Sequence, residues 1–315
     1  MIRILNIEPL AYSEAGRSIL RDAGELTERE CDRAQLLACI GQYDVLIVRL
    51  RHNIDRDILD AAVGLKAIVS ATTGLDHIDV DYAAERGVTV LSLKGEVAFL
   101  RTIPATAEFT WGLLLALVRH IPWAHQSVCD AQWNRDAFKG HDLSGRRLGV
   151  LGLGRIGQKV ACYGQAFGMQ VSAFDPYCEG ALEGVSLMDE RDDFFKAIDV
   201  LSIHVPLNEA TVGLIGQHEL SLLCDGAVLI NTSRGRIVDE SALLDTLESG
   251  KLGGAALDVL SFEQREANVE SSALFHYARE HANLILTPHI GGATRESMAM
   301  TEVFMAKKLV EFLQG

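Results

Sequence analysis

Short apolar runs rich in β-branched residues alternate with longer stretches at helical spacing along the whole chain. The pattern predicts strands at 2–7, 44–48, 67–70 and 88–91, with helices at 13–23, 55–63 and 79–86 between them. A long helix at about 104–119 follows, and the rhythm then restarts with strands at 147–151, 170–174, 199–203, 227–230, 254–257 and 283–286. Runs such as Val45-Leu46-Ile47-Val48 lack polar alternation, which suits a parallel sheet covered on both faces. Two strand–helix sets separated by one long helix imply an α/β protein with two doubly wound parallel-sheet domains. The last helix, about 293–312, carries Met298, Val303, Phe304, Leu309 and Val310 at helical spacing. Its partner surface does not follow from the pattern: it either completes the second domain or returns to the first.

Composition narrows the class. A length of 315 residues favours two domains, and 48% hydrophobic residues with six prolines describe a globular chain with a large core. The longest apolar stretch, Trp111 to Val118, is too short to span a bilayer and reads as a buried helix. The segment Met1 to Ile7 reads as a strand without a cleavage site, so the expected location is the cytoplasm and no membrane partner is expected. A formal charge of −14 argues against a nucleic-acid partner, which would need clustered Lys and Arg. The six cysteines form no Cys-x-x-Cys pair and read as reduced packing residues, and the scattered histidines give no metal-ligand spacing.

The strand Arg147 to Leu151 runs directly into Gly152-Leu153-Gly154-Arg155-Ile156-Gly157, after which a helix begins. In that setting the first glycine permits a tight turn and the second lets backbone approach a pyrophosphate. The third allows helix to pack on strand, and the helix N-terminus offers free N–H groups to the anion. A second strand, 170–174, ends at Asp175, 18 residues past Gly157, where a carboxylate accepts from an adenosine ribose and repels a 2′-phosphate. NAD is therefore the expected cofactor.

Further along, Asn231-Thr232-Ser233-Arg234-Gly235, Ala256-Leu257-Asp258-Val259 with Glu263, and Thr287-Pro288-His289-Ile290-Gly291-Gly292 resemble the D-isomer-specific 2-hydroxyacid dehydrogenases. His204-Val205-Pro206-Leu207, Thr73-Gly74-Leu75-Asp76-His77-Ile78-Asp79 and Ala107-Glu108 fall in the matching order, so the likeness covers nearly the whole chain. It implies a flavodoxin-like substrate domain of 1–98 plus 293–315 and an NAD-binding Rossmann domain, 99–292, inserted into it. It also implies an active site in the interdomain cleft and a homodimer built largely from the NAD-binding domains.

The chemistry of such a reaction fits three side chains. Reducing a 2-oxo acid takes a hydride at C2, a proton for the oxygen and a clamp for the carboxylate. Arg234, past the apolar strand 227–230, has the fork to hold a carboxylate. His289, past Leu284-Ile285-Leu286, is the residue type suited to give and take a proton and matches the family's acid/base. Glu263 matches the carboxylate that orients that imidazole and stabilises its charged form. The resemblance further places Asp258 at the nicotinamide carboxamide, Val205 and Thr232 along the cofactor through their backbone, Arg155 and Ile156 under the pyrophosphate, and Gly291 at the cofactor.

Substrate identity is less determined. Arg49 and Arg51, in Val48-Arg49-Leu50-Arg51-His52, resemble the loop that phosphoglycerate dehydrogenases use for a substrate phosphate. Thr73 and Gly74 belong at the substrate carboxylate. Thr72 replaces a glycine common in the family, Lys94–Thr106 is longer than usual and brings in Arg101 and Thr102, and Gln264–Ala282 is also longer. A small D-2-hydroxy or 2-oxo acid, phosphorylated or not, is the expected substrate. The same scaffold also serves NAD-sensing corepressors that bind peptides, and phosphite dehydrogenases; Glu263 argues against a formate dehydrogenase.

Overall fold

The computed structural model describes residues 1–178, 180, 182–263 and 269–315. Of the long stretch from Gln264 to Ala282, residues 264–268 thus lie outside the described residues. The chain divides into two compact units, Met1–Ile103 with Ala293–Gly315, and Pro104–Gly292.

The first unit holds β1 (Arg3–Asn6), β2 (Glu25–Glu28), β3 (Val45–Val48), β4 (Ala67–Ser70) and β5 (Thr89–Ser92), all parallel in the order β2-β1-β3-β4-β5. This is the flavodoxin-like order. Alternate residues of each strand enter separate cores, which explains the unbroken apolar runs. Leu5, Leu46, Val48 and Ile68 face Leu36, Ile58 and Leu59, whereas Ile4, Val45, Ile47 and Val69 face Leu20, Met305 and Leu309. Met305 and Leu309 belong to the C-terminal helix Arg295–Gln314, so that helix returns to the first unit and covers one face of its sheet.

The second unit holds β6 (Arg147–Leu151), β7 (Gln170–Phe174), β8 (Val185–Leu187), β9 (Val200–Ile203), β10 (Ala227–Asn231), β11 (Leu252–Leu257) and β12 (Leu284–Leu286). Their order is β12-β11-β10-β9-β6-β7-β8, again all parallel. This is the Rossmann order with one further strand, and the direction of winding reverses between β6 and β9, where such sheets take ligands at their carboxyl ends. One face packs on Phe194, Phe195, Leu220 and Leu243, the other on Trp111, Leu114 and Leu117 of the helix Ala105–Val118. The apolar run at 111–118 is thus core. Among the described residues no helix is long and apolar enough to cross a membrane.

Candidate active site

In the second unit the carboxyl ends of β6, β10, β11 and β12 each feed a loop that carries predicted site residues. Behind β6 the chain turns through Gly152, whose φ of +90° lies in the left-handed region. The helix Arg155–Ala166 starts immediately, with Gly154 at its N-cap and no side chain satisfying the first N–H groups. Gly157 is required by packing, because a Cβ there would stand 2.0 Å from the Gly152 carbonyl oxygen. Arg155 lies half-buried beside these open N–H groups, and burial alone pushes its guanidinium pKa down. Ile156 follows, half-buried. Open donors and a cation with no carboxylate partner among the described residues together fit a pyrophosphate.

Asp175 closes the same turn. Its Oδ2 accepts from the Leu153 N–H at 2.8 Å and its Oδ1 from the Tyr177 N–H at 3.0 Å, so the carboxylate is fixed beside the glycine loop. His204 follows β9, donates its backbone N–H to Leu151 at 2.7 Å, and sets its Nε2 2.7 Å from Ser202 Oγ. Burial holds that imidazole at about 3, hence neutral. Sequence reasoning named Val205 and passed over His204, whose place behind an apolar strand was the available signal.

Behind β10 the loop carrying Arg234 is shaped by Asn231, which is 1% exposed. Its Oδ1 accepts from Ser233 N–H at 2.9 Å and its Nδ2 donates to Arg234 O at 2.9 Å, bracketing the turn. Ser233 Oγ donates to the Val205 carbonyl, and Thr232 Oγ1 lies 2.8 Å from Thr110 Oγ1 on the helix Ala105–Val118. Gly235 has no room for a side chain: a Cβ would stand 2.0 Å from the Leu260 carbonyl carbon. The Arg234 loop therefore sits directly on the turn that leads to Glu263. Arg234 itself is half-buried, with Nη1 donating to Ser233 O at 2.8 Å.

Behind β12, His289 takes φ +54°, and its Nδ1 donates to Glu263 Oε2 at 2.6 Å. The other carboxylate oxygen, Oε1, accepts from the Leu260 N–H, so Glu263 is held by its own turn. With Nδ1 engaged, Nε2 is the imidazole atom left for a reacting group. Asp258, one residue past β11, is 1% exposed, and burial pushes its carboxyl pKa up against the hydrogen bonds it accepts. Those bonds come from Thr287 Oγ1 at 2.6 Å, Ile290 N–H at 2.8 Å and Gly291 N–H at 2.7 Å. Asn231, Thr110 and Thr287 are site residues that the sequence reading did not assign; only Asn231 and Thr287 stood inside segments it had singled out.

The first unit distributes its predicted residues differently. Arg49 donates from Nη2 to Glu302 of the C-terminal helix and from Nη1 to Leu10 O at 3.2 Å, with its guanidinium 5.4 Å from the Tyr12 ring centroid. Arg51 is exposed, 3.8 Å from Glu30. The two arginines are therefore not presented as one pair; Asp55 and Asp57 bind Arg33 instead. Thr72 uses its hydroxyl to hold the loop containing the exposed Thr73, donating to Gly74 O at 2.8 Å and standing 2.9 Å from Ser70 Oγ. Arg101 is exposed, and Thr102 Oγ1 caps Phe99 O at 2.7 Å. Among the described residues no group of three His, Cys, Asp or Glu side chains is placed to hold a metal.

Comparison with known proteins places this geometry. Residues 111–291, more than half of the chain, match the NAD binding domain of the D-isomer specific 2-hydroxyacid dehydrogenases. D-3-phosphoglycerate dehydrogenase of Methanocaldococcus jannaschii is 36% identical over 319 residues, covering 100% of this chain and 58% of that protein. Hydroxypyruvate reductase of Thermotoga maritima is 37% identical over 289 residues, covering 92% of this chain and 91% of that protein. The chain thus spans little more than half of the first relative and nearly all of the second. Among solved structures, the TT0316 protein of Thermus thermophilus superposes with a TM-score of 0.86 at 32% identity, over 100% of this chain and 97% of that one. D-lactate dehydrogenase of Aquifex aeolicus, in complex with NAD and lactic acid, superposes with a TM-score of 0.84 at 28% identity, over 99% of this chain and 96% of that one. With the glycine turn, the carboxylate behind β7 and the Arg, Glu and His loops all at one sheet edge, the chain belongs to the NAD-dependent D-isomer specific 2-hydroxyacid dehydrogenases.

Proposed function

We propose that the chain transfers a hydride between nicotinamide and C2 of a small D-2-hydroxy or 2-oxo acid. The observation that carries this reading is the 2.6 Å bond from His289 Nδ1 to Glu263 Oε2, on a turn packed against the Arg234 loop. When bound, NADH supplies the hydride. His289 supplies the proton from Nε2 to the substrate oxygen, so that 2-oxo acid, NADH and one proton give hydroxy acid and NAD; oxidation reverses each transfer. Glu263 keeps the imidazole oriented and balances its charge. Arg234 clamps the carboxylate with a fork matched to it and polarises the neighbouring carbonyl. Gly152, Gly154, Arg155, Ile156 and Gly157 hold the pyrophosphate, Asp175 holds the adenosine ribose, and Val205, Thr232, Asp258 and Gly291 line the nicotinamide side.

The main chain at Thr73 and Gly74 serves the substrate carboxylate. For a phosphorylated substrate such as 3-phosphoglycerate, Arg51 is the more accessible guanidinium to meet the phosphate, since Arg49 is engaged by Glu302 and Leu10 O. The working assembly is a homodimer through the NAD-binding unit, a reading supported by the exposed apolar side chains of Ile121, Val128 and Trp133, and the protein works in the cytoplasm with its cysteines reduced.

The test is NADH oxidation with glyoxylate, hydroxypyruvate, phosphohydroxypyruvate and bulkier 2-oxo acids. Turnover of at least one is expected, and silence on all of them sinks the enzyme reading in favour of an NAD-sensing binding protein. Arg51→Ala should abolish activity on phosphohydroxypyruvate while leaving glyoxylate untouched; equal losses on both remove Arg51 from the phosphate.

A further inference from the structure

The geometry points to Asp258 as the positioning residue of His289: its buried carboxylate is the anchor of the turn that carries the imidazole. The inference rests on the reading of His289 as acid/base. A non-glycine residue in the left-handed region costs on the order of 1–2 kcal/mol, and such a conformation persists only where its surroundings over-determine it. Among the described residues His289, at φ +54°, is one of four such residues, and of these four it alone sits in the candidate site.

The donors of the turn hold it in place. Thr287 N–H goes to Leu257 O at 3.0 Å, and Pro288 has none. His289 N–H goes to the Asp258 carbonyl at 2.8 Å, and Ile290 and Gly291 N–H go to the two oxygens of the Asp258 carboxylate. The Thr287 hydroxyl completes the set on Oδ1. Three of the four backbone donors of residues 287–291, and the one side-chain hydroxyl, therefore end on a single residue. Asp258 is itself pinned, since its N–H donates to Asn231 O at 2.9 Å on the neighbouring strand.

Only a carboxylate satisfies this set. A carboxamide offers one oxygen, and its NH2 would face a backbone N–H, leaving a buried donor unmatched. Asn231 meets the opposite requirement one strand away, where its amide must accept from Ser233 and donate to Arg234. The two neighbouring polar residues thus differ by the donors their loops present. Gly291 belongs to the same device, because a Cβ there would come within 2.9 Å of Asp258 Oδ2.

The experiment compares wild type, Asp258→Asn, Thr287→Val and Thr287→Ser. The His289 imidazole resonance is identified by its loss in His289→Asn, and NADH affinity is followed by fluorescence alongside hydroxypyruvate turnover. In Asp258→Asn the resonance should move toward that of a free histidine and kcat should fall roughly 100-fold, the scale of an ångström-level misplacement. NADH affinity should fall far less than kcat, since Asp258 borders only the nicotinamide end and the glycine turn is untouched. Thr287→Val, which removes one bond, should move the resonance part of the way, and Thr287→Ser should restore it. If Asp258→Asn does not fold, the Thr287 pair decides: a wild-type resonance in Thr287→Val overturns the proposal. So does an unmoved resonance in Asp258→Asn, or a loss of NADH affinity as large as the loss of kcat, which would make Asp258 a cofactor contact only. A wild-type protein that turns over no 2-oxo acid sinks the proposed reaction, and the resonance comparison still decides whether Asp258 holds the turn.

Discussion

At the scale of single residues, Glu263 and His204 make opposite use of position. Glu263 lies partly exposed beside His289 and is tied at both oxygens, to Leu260 N–H and to the imidazole. Glu263→Gln keeps the shape and removes the charge that balances the imidazolium. A loss of roughly 100-fold in kcat with little change in NADH affinity is expected in steady-state and fluorescence measurements, within the range for a group supporting general acid–base transfer. Unaltered kcat would release Glu263 from its role. His204 is instead silent chemically. Its folded imidazole titrates at about 3 against 6.5 for an unperturbed histidine, because burial penalises the charged form. The sign follows from proton counting. Between those values the unfolded chain holds the extra proton, so stability falls as pH drops below about 6.5. At pH 5 the loss is roughly 2 kcal/mol, from about 1.4 kcal/mol per pH unit. Replacing His204 with Gln should cancel that part of the slope, so urea midpoints of the two proteins should converge at pH 5 relative to pH 7.5. A gap that stays constant over that range assigns the acid sensitivity elsewhere. Both roles were half legible in the sequence. A glutamate and a histidine in known motifs announced the pair, but which hydrogen bonds fix them depends on Leu260 and Ser202, which carry no motif.

At the scale of elements, what the sequence made visible were the central strands. β3, β4, β6, β9 and β10 are buried on both faces and so are written as apolar runs. Two of the four edge strands, β2 and β8, were not visible, whereas the edges β5 and β12 were. β2 reads Glu-Leu-Thr-Glu and β8 has three residues, because an edge needs pairing on one side only and favours polar, short segments. The C-terminal helix was visible as a helix but not by its partner, since that partner is fixed by contacts across most of the chain. Glu302 is 1% exposed and accepts from Ser13 N–H at 2.6 Å while paired with Arg49. It therefore clasps the loops behind β1 and β3 to the helix. Glu302→Ala would leave a mostly buried guanidinium and a backbone N–H without an acceptor. A cost of about 3 kcal/mol is expected in chemical denaturation, the scale for breaking one side of a buried pair. Glu302→Gln, which keeps an acceptor, should lose less. Equal midpoints for wild type and Glu302→Ala would mean that the helix is held by Met305 and Leu309 alone.

At the scale of the whole molecule, one segment is at odds with an isolated chain. In the helix Ile121–Cys129 no residue is fully buried: Trp123 packs partly on the core of its unit, but Ile121 and Val128 are exposed, and nearby Trp133 is 89% exposed. Water-facing apolar side chains concentrated on one short arm of the NAD-binding unit suit a second copy better than solvent. Two such chains each carry −14, so their association must overcome long-range repulsion that salt screens. A dimer held by apolar contacts should therefore tighten, or at least persist, as salt is raised, whereas one held by ion pairs would loosen. Light scattering after gel filtration should give twice the chain mass in both low and high salt. Substituting Val128 and Trp133 together with Asp should yield the single-chain mass. NADH binding should survive in that variant, because no residue of the glycine turn lies on the arm. A wild-type protein that runs as one chain at micromolar concentration, or a double variant that stays paired, would remove this arm from the interface.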